Sequence, residues 1–192
     1  MRKAFFYLGI FSPILFVILS GLAQRLTPNF NSIQSPASNL AAGQYGWLQN
    51  LAFIVGGVGF TLIGLSIFKN ISKRTKVAPS LIVLFGVILI LEAFFQSNPN
   101  QTDSATQIHI FLFMIGMVGM LISTFLLGNA IRSISSWMAW YCYLTGAVSA
   151  IGFIGIFATQ GQTGLWQQVA TGPLFLWLII IDIYTFVNYK KR

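Results

Sequence analysis

The stretch Gly46–Phe68, GWLQNLAFIVGGVGFTLIGLSIF, decides the fold class because it holds no charged side chain over its whole length. A helix needs about 20 consecutive apolar residues to cross the hydrocarbon core of a bilayer. Strands of a membrane β-barrel would be about ten residues long and would alternate polar with apolar residues. The stretch does neither, so it predicts a transmembrane helix.

Five further apolar stretches lie on either side of it, separated by connectors that are basic or rich in Pro, Asn and Ser. The six predicted spans are residues 4–23, 46–68, 79–95, 108–131, 137–159 and 168–189. The sequence thus predicts an all-α membrane protein, a six-transmembrane-helix bundle that forms a single transmembrane domain over residues 1–192.

The composition supports a membrane protein, since 56% of the residues are hydrophobic and only 7% are charged. A soluble domain normally has about a quarter of its residues charged. A net charge of +8 would suggest a nucleic-acid partner in a soluble protein. Here the basic residues lie in short segments between apolar runs, so we expect no nucleic acid. The lone Cys142 lies in an apolar run, which argues against a disulfide framework or a Cys-based metal site, and we expect no metal and no cofactor.

The placement of Lys and Arg predicts the orientation of the chain. All of these residues except Arg25 fall on one side of a six-span arrangement: Arg2, Lys3, Lys69, Lys73, Arg74, Lys76, Arg132, Lys190, Lys191 and Arg192. The positive-inside rule then places both the N and the C terminus in the cytoplasm. We expect a multi-pass protein of the cell membrane, specifically a prokaryotic plasma membrane. The first apolar run, of about 20 residues, exceeds the usual 7–15 of a signal peptide, which favours an uncleaved first helix.

Small residues predict where the helices pack closely, because lipid provides no hydrophobic drive for helix association. The second span carries four such positions: Gly56, Gly57, Gly59 and Gly64. In the fourth span, His109, Gly116 and Ser123 recur every seven residues and therefore lie along one stripe, which we expect to face the other helices.

Three of the four acidic or histidine side chains are predicted to meet at the outer side. Glu92 lies near the outer end of the third span, with Gln96 four residues on, and the short connector brings back Asp103 and then His109. One interpretation is a hydrogen-bonded network that ties the third helix to the fourth. The other is an acid/base or metal-assisted site, although one histidine and two acids make a thin ligand set for zinc.

The fourth of these side chains, Asp182, lies in the inner half of the sixth span. An intramembrane acid is by default a functional hypothesis whose partner should be named. Arg132, at the inner end of the fourth span, is the candidate for an intramembrane ion pair. Alternatively, a protonated Asp182 donates to a backbone carbonyl, and in either case a structural tie between helices is the expected role.

The first outer loop, residues 24–44, is the longest connection and has one charge. Ser, Pro and Asn within it are typical of an ordered turn, and such a loop could cover the outer mouth of the helices. Trp47 and Trp166 are expected at the outer interface, where an apolar ring with a polar edge is favoured. Asn100-Gln101-Thr102 matches a glycosylation sequon, but the loop is too short for the match to carry weight.

Several short motifs resemble the bacterial and archaeal membrane family catalogued as domain of unknown function 998. They are Ser35-Pro36-Ala37-Ser38-Asn39-Leu40, then Gly46-Trp47-Leu48-Gln49-Asn50, then Phe95, Pro99, Asp103 and His109, and finally Gly164, Gln167, Gln168 and Trp177. Two positions depart from the family pattern, since Gln168 stands where an arginine is common and Asn39 where an acid is common. The family is similar in outline to the eukaryotic Frag1/DRAM/Sfk1 group, which is linked to lipid organisation, and this similarity implies no more than a fold.

The sequence favours a non-enzymatic protein with an outward-facing pocket for a lipid or amphipathic ligand. The candidate ligand-binding residues are Glu92, Gln96, Asp103, His109, Trp47, Trp166, Gln167 and Gln168. The alternatives are a membrane-embedded enzyme that uses Glu92, Asp103 and His109 as catalytic groups on a lipid, and a small transporter or channel. Membrane lipid is the expected partner, with a homo-oligomer or another membrane protein as further possibilities.

Overall fold

The computed structural model describes residues 2–71, 73–98 and 103–189. For residues 2–5 and 189 it describes the backbone only. The described residues form helices and connections, with no strand among them. The six α-helices are α1 (Arg2–Leu26), α2 (Gly46–Ile71), α3 (Val77–Glu92), α4 (Ser104–Ile131), α5 (Ser136–Ala158) and α6 (Thr163–Tyr189), and a 3-10 helix spans Ala37–Ala42.

Five of the helices are long and apolar enough to cross a membrane, and α3 is a shorter apolar helix of 16 residues. Large apolar side chains such as Phe11, Phe111, Leu144 and Ile154 are exposed on the outer surface. An apolar outer surface is what lipid requires of a protein. The chain is therefore a multi-pass membrane protein in its architecture, whereas the sixth span, over α3, remains a prediction.

Each helix packs against the next one along the chain, and α2 also packs against α6. Short connections between neighbouring helices make those neighbours antiparallel. One end of the helical body, here called the loop end, carries the 3-10 helix, the α3–α4 connection and the start of α6. The opposite end, called the terminal end, carries the start of α1 and the end of α6.

The glycines of α2 allow this helix to approach two neighbours closely. Gly59 contacts Ser12 of α1, and Gly64 contacts Val83 of α3 so closely that a Cβ at either position would overlap its neighbour. A Cβ at Gly56 would likewise overlap α1, and a Cβ at Gly57 would overlap α3. The predicted role of these glycines in close packing is confirmed.

The stripe of α4 faces the interior, as predicted. His109, Gly116 and Ser123 are all buried. The Ser123 hydroxyl donates to the Ala78 carbonyl at 3.0 Å, and Gly116 faces Phe85. The stripe therefore holds α4 against α3.

The observed helices begin or end up to five residues from the predicted spans, as at the end of α3 and the starts of α4 and α6. The third span was predicted to reach residue 95, but α3 ends at Glu92 and a turn follows. A longer helix would need an amide N–H at position 99 for the Phe95 carbonyl, where the sequence has a proline, and this carbonyl lies 2.9 Å from His109 Nδ1 instead. The sixth span was predicted to begin at residue 168, whereas α6 begins at Thr163.

At the terminal end, the basic connections lie together. Arg74 donates to the Ser133 hydroxyl at 2.9 Å and to the Ala130 carbonyl at 3.3 Å, which ties the α2–α3 connection to the end of α4. The side chains of Arg2 and Lys3, and the whole of residues 190–192, lie outside the described residues. The same holds for Pro99 and for the sequon Asn100-Gln101-Thr102.

Candidate functional site

A cavity of about 420 Å³ lies at the loop end, between α1, α2 and α6 and against α3 and α4. Five aromatic rings, one from each of five helices, line it: Phe16, Phe53, Phe85, Phe113 and Phe175. Its volume is in the range of ligand pockets, which are mostly apolar with a few polar groups that fix orientation.

Two of the polar side chains that line this cavity, Gln49 and Ser20, are buried and unpaired. The Gln49 side chain is 0% exposed, and within the described residues neither its amide nitrogen nor its amide oxygen has a hydrogen-bond partner. Ser20 Oγ is likewise buried without a partner there. Glu92 is 3% exposed and borders the same space. The cavity therefore combines an apolar wall with a polar end whose hydrogen-bonding capacity is unused.

The cavity opens sideways between α1 and α6. Gly21 of α1 and Gly172 of α6 both line it, and neither has another group within 4 Å of the position that a Cβ would occupy. Val17, which also lines the cavity, is an exposed residue of α1. Because α1 packs along α2 and contacts α6 much less, the gap between them leads from the cavity to the apolar outer surface.

The α1–α2 loop covers the loop end of the cavity and is fastened to α6. The Leu165 amide donates to the Ile33 carbonyl at 2.9 Å, and the Ala37 amide donates to Gln167 Oε1 at 3.0 Å. Gln168 Nε2 donates to the Ser32 carbonyl at 2.7 Å. The loop is thus an ordered cover that is held by three hydrogen bonds to the first turns of α6.

A second cavity, of about 300 Å³, lies on the other side of Phe113. Phe113, Ser38 and Gln167 line both cavities, so these residues form the partition between them. His109 and Phe157 line only the second. The Nδ1 atom of His109 must carry the ring hydrogen, because it faces the Phe95 carbonyl, which can only accept.

The structure brings some of the predicted ligand-binding residues to the first cavity and not the others. Glu92, Gln167 and Gln168 line it, and His109 lines the second. The remaining four lie elsewhere: Gln96 and Asp103 are exposed, Trp47 is 63% exposed on the outer surface, and Trp166 packs against Gly155.

The proposed catalytic trio is not assembled around one point. Asp103 caps the N-terminus of α4 by accepting the Thr106 amide at 2.9 Å. That backbone hydrogen bond, with a further one from the Thr106 side chain, lowers the pKa of Asp103 below its usual value. Across residues 2–71, 73–98 and 103–189, no three His, Cys, Asp or Glu side chains are grouped so that they could hold a metal ion.

The structure also does not form the predicted pair of Asp182 with Arg132. Asp182 is 0% exposed and lies near Gly9 of α1 and the Ser66 hydroxyl of α2, and neither carboxylate oxygen makes a well-formed hydrogen bond among the described residues. Arg132 is exposed and borders a small cavity with Trp140. The physical reason is the helix order, because α4 packs on α3 and α5, whereas Asp182 faces the side of α6 that α1 and α2 cover.

Sequence reasoning missed Gln49 and Ser20 as candidate site residues. Each is an uncharged polar residue within an apolar span, which is a signal that was available. A serine or glutamine in such a span can hydrogen-bond within its own helix or to a neighbour. The sequence did not show that both side chains face an open space.

Comparison with known families finds one match, to a family described as "Protein of unknown function (DUF998)", over residues 10–183. The match covers almost all of the chain and confirms the resemblance inferred from the short motifs. No curated protein and no solved structure matches the chain.

Proposed function

We propose that this chain, which belongs to the DUF998 family of proteins of unknown function, binds a membrane lipid or another amphipathic ligand and is not an enzyme. The ligand would enter sideways, through the gap between Gly21 and Gly172, into the cavity of about 420 Å³. Its apolar part would lie among the phenylalanine rings and its polar part near Gln49 and Glu92.

The single observation that carries the proposal is the unpaired Gln49 amide at the end of an aromatic cavity. A buried polar group without a partner destabilises a protein by about 1–3 kcal/mol. A ligand that supplies the missing hydrogen bonds would remove this penalty and gain the burial of its own apolar part. The site thus suits a molecule with one polar and one apolar end.

The orientation belongs to the proposal as well. Lys69, Lys73, Arg74, Lys76 and Arg132 lie at the terminal end, and Arg25 lies at the loop end. The positive-inside rule then places the terminal end in the cytoplasm and the cavity in the outer leaflet of a prokaryotic plasma membrane. In this arrangement α3 is a sixth, short span.

The two alternative functions have less support from the geometry. An enzyme that uses Glu92, Asp103 and His109 would need these groups at one point, and Asp103 is engaged as a helix cap. A transporter or channel needs a polar path, yet side chains such as Ile63 and Ile67 fill the terminal-end half and are fully buried.

The test is a substitution that blocks the lateral gap. Gly172→Phe places a ring at the mouth, and Leu176→Phe, one turn away on the exposed surface of α6, is the matched control. We expect a lipid panel to raise the Tm of the wild-type protein by several degrees, because a ligand at 100 times its Kd stabilises by about 2.7 kcal/mol. Leu176→Phe should respond equally, and Gly172→Phe should not respond. The absence of a response to any lipid, or an equal response of Gly172→Phe, would overturn the proposal.

A further inference from the structure

We infer that the polar end of the ligand is a primary ammonium group carried on a hydrocarbon chain, and that Glu92 and Gln49 receive it. This inference rests on the proposed function and adds the chemical class of the ligand. The ammonium group could come from a membrane lipid with an amine headgroup or from a single-chain amine.

The charge of the cavity supports a cationic ligand. Glu92 is the one charged side chain among the residues that line it in the described part of the chain. Arg25 belongs to the same end of the molecule but is exposed and does not line the cavity. An anionic headgroup would therefore meet a carboxyl group and no cation, whereas an ammonium group would give Glu92 the partner that a buried carboxylate requires.

The hydrogen-bonding groups support a ligand with several N–H donors. Gln49 Oε1 and Ser20 Oγ are acceptors without a donor among the described residues, and the Glu92 carboxyl is a third acceptor that borders the same cavity. By contrast, Gln167 Oε1 already accepts the Ala37 amide. A primary ammonium has three N–H donors and no acceptor, so its donors match the three open acceptors. The free Gln49 Nε2 could then donate to an oxygen next to the amine.

The wall of the cavity is compatible with the same ligand. Phenylalanine faces attract ammonium groups and also pack against alkyl chains. Phe16 and Phe175 belong to α1 and α6, the two helices that flank the lateral gap. These two rings pack edge to face with their centroids 5.0 Å apart, so a chain attached to the ammonium group would lie against this pair and leave the protein beside Gly21 and Gly172.

The experiment measures the affinities of three probes of equal chain length, a long-chain primary amine, the alcohol and the carboxylic acid. The full-length protein is held in uncharged detergent micelles, and the Kd is obtained by isothermal titration calorimetry. We expect the amine to bind most tightly and the acid most weakly. Glu92→Gln should weaken amine binding about tenfold, or about 1.4 kcal/mol, and leave alcohol binding within about twofold.

Asp103→Asn is the matched control because it removes the exposed acid at the same end of the molecule without touching the cavity. It should bind all three probes as the wild type does. The melting temperatures of both variants, measured alongside, verify that each is folded.

A second measurement separates the two sources of the ammonium group. Nanodiscs that contain an ethanolamine phospholipid are compared with nanodiscs that contain a glycerol phospholipid. If the ethanolamine lipid alone displaces the amine probe, the ligand is an amine-headgroup lipid. If neither lipid displaces it, the ligand is a single-chain amine.

Three results would overturn the inference while leaving the proposed function in place. These are an acid or an alcohol that binds as tightly as the amine, an equal effect of Glu92→Gln on all three probes, and an equal loss of amine affinity in Asp103→Asn. In each case Gly172→Phe would still abolish binding. If Gly172→Phe bound the probes as the wild type does, the cavity itself would be the wrong site and the proposed function would fail.

Discussion

The loop-end half and the terminal-end half of this protein are built from the same six helices but are packed differently. The loop-end half contains cavities of about 420 and 300 Å³ and the unpaired Gln49 amide. In the terminal-end half, branched apolar side chains such as Ile67, Ile71 and Ile131 are almost completely buried. One half has space for a ligand, and the other holds the helices together.

The two buried acids show what this difference means for function. Glu92 borders the larger cavity, where an incoming group could reach it. Asp182 is completely buried near Gly9 and borders none of the cavities described above. The two carboxyl groups are almost equally buried, but only Glu92 lies beside a cavity that a ligand could enter.

The sharpest test of the comparison places the same substitution in both halves. Gly64→Val should destabilise the protein by about 1–3 kcal/mol, because the new side chain would overlap Val83 and the α3 backbone. Gly21→Val should change stability by less than about 0.5 kcal/mol, since its Cβ meets open space. The measurement is the free energy of unfolding in mixed micelles. Equal losses for the two variants would contradict the difference in packing.

Asp182→Val tests whether Asp182, the second buried acid, contributes to ligand binding as well as to the packing of the helices. Removal of two buried, unpaired oxygens should raise the free energy of unfolding by about 1–3 kcal/mol and leave ligand binding unchanged. Thr185→Val, one turn along α6, is the control, because its hydroxyl already bonds to the Asp182 carbonyl at 3.1 Å and its loss should have little effect. A destabilised Asp182→Val would mean that the carboxyl group has a partner.

The smallest expected effect is that of Asp103→Ala, whose Tm difference from the wild type should depend on pH. The Thr106 hydrogen bonds lower the folded-state pKa of Asp103 below its unfolded value of about 3.9. Its stabilising contribution is therefore fully present above that value and is lost as pH falls through the lower, folded-state pKa. We expect a lower Tm for Asp103→Ala at neutral pH and a smaller difference from the wild type as the pH falls through the lowered pKa.

Ser135→Ala provides the control for this pH dependence. Ser135 caps α5 by accepting the Met138 amide at 3.3 Å, but it has no carboxyl group to titrate. Its Tm difference from the wild type should stay constant over the same range. If both variants behaved alike, the cap of α4 would not depend on the charge of Asp103.

The sequence predicted the existence of the helices well because their length and lack of charge decide it, and it placed the start of α2 and the end of α4 at the observed residues. It was least accurate at the starts of α4 and α6, because a helix can extend beyond its apolar run where polar caps and loop contacts satisfy its first amides. Asp103 caps the start of α4, and the Leu165 amide near the start of α6 donates to the Ile33 carbonyl. Apolar patterns carry no information about such contacts.

The site could be predicted only in part, for a related reason. Charge and position pointed to Glu92, and the family motif pointed to Gln167 and Gln168, all of which line the first cavity. The position of Asp103 before an apolar run is equally typical of a helix cap, which is the role that the structure gives it. The importance of Gln49 depends on the empty space beside it, and this space arises only from the packing of five helices.

The docking of the α1–α2 loop on α6 has a consequence for biosynthesis. The Ala37 amide and Gln167 are 130 residues apart, so the loop emerges from the ribosome long before its partner on the last helix exists. The cavity consequently gains its cover only when α6 has been inserted. An insertion intermediate that lacks α6 would expose the Gln49 amide and the phenylalanine rings of the cavity, so the last helix completes the site as well as the fold.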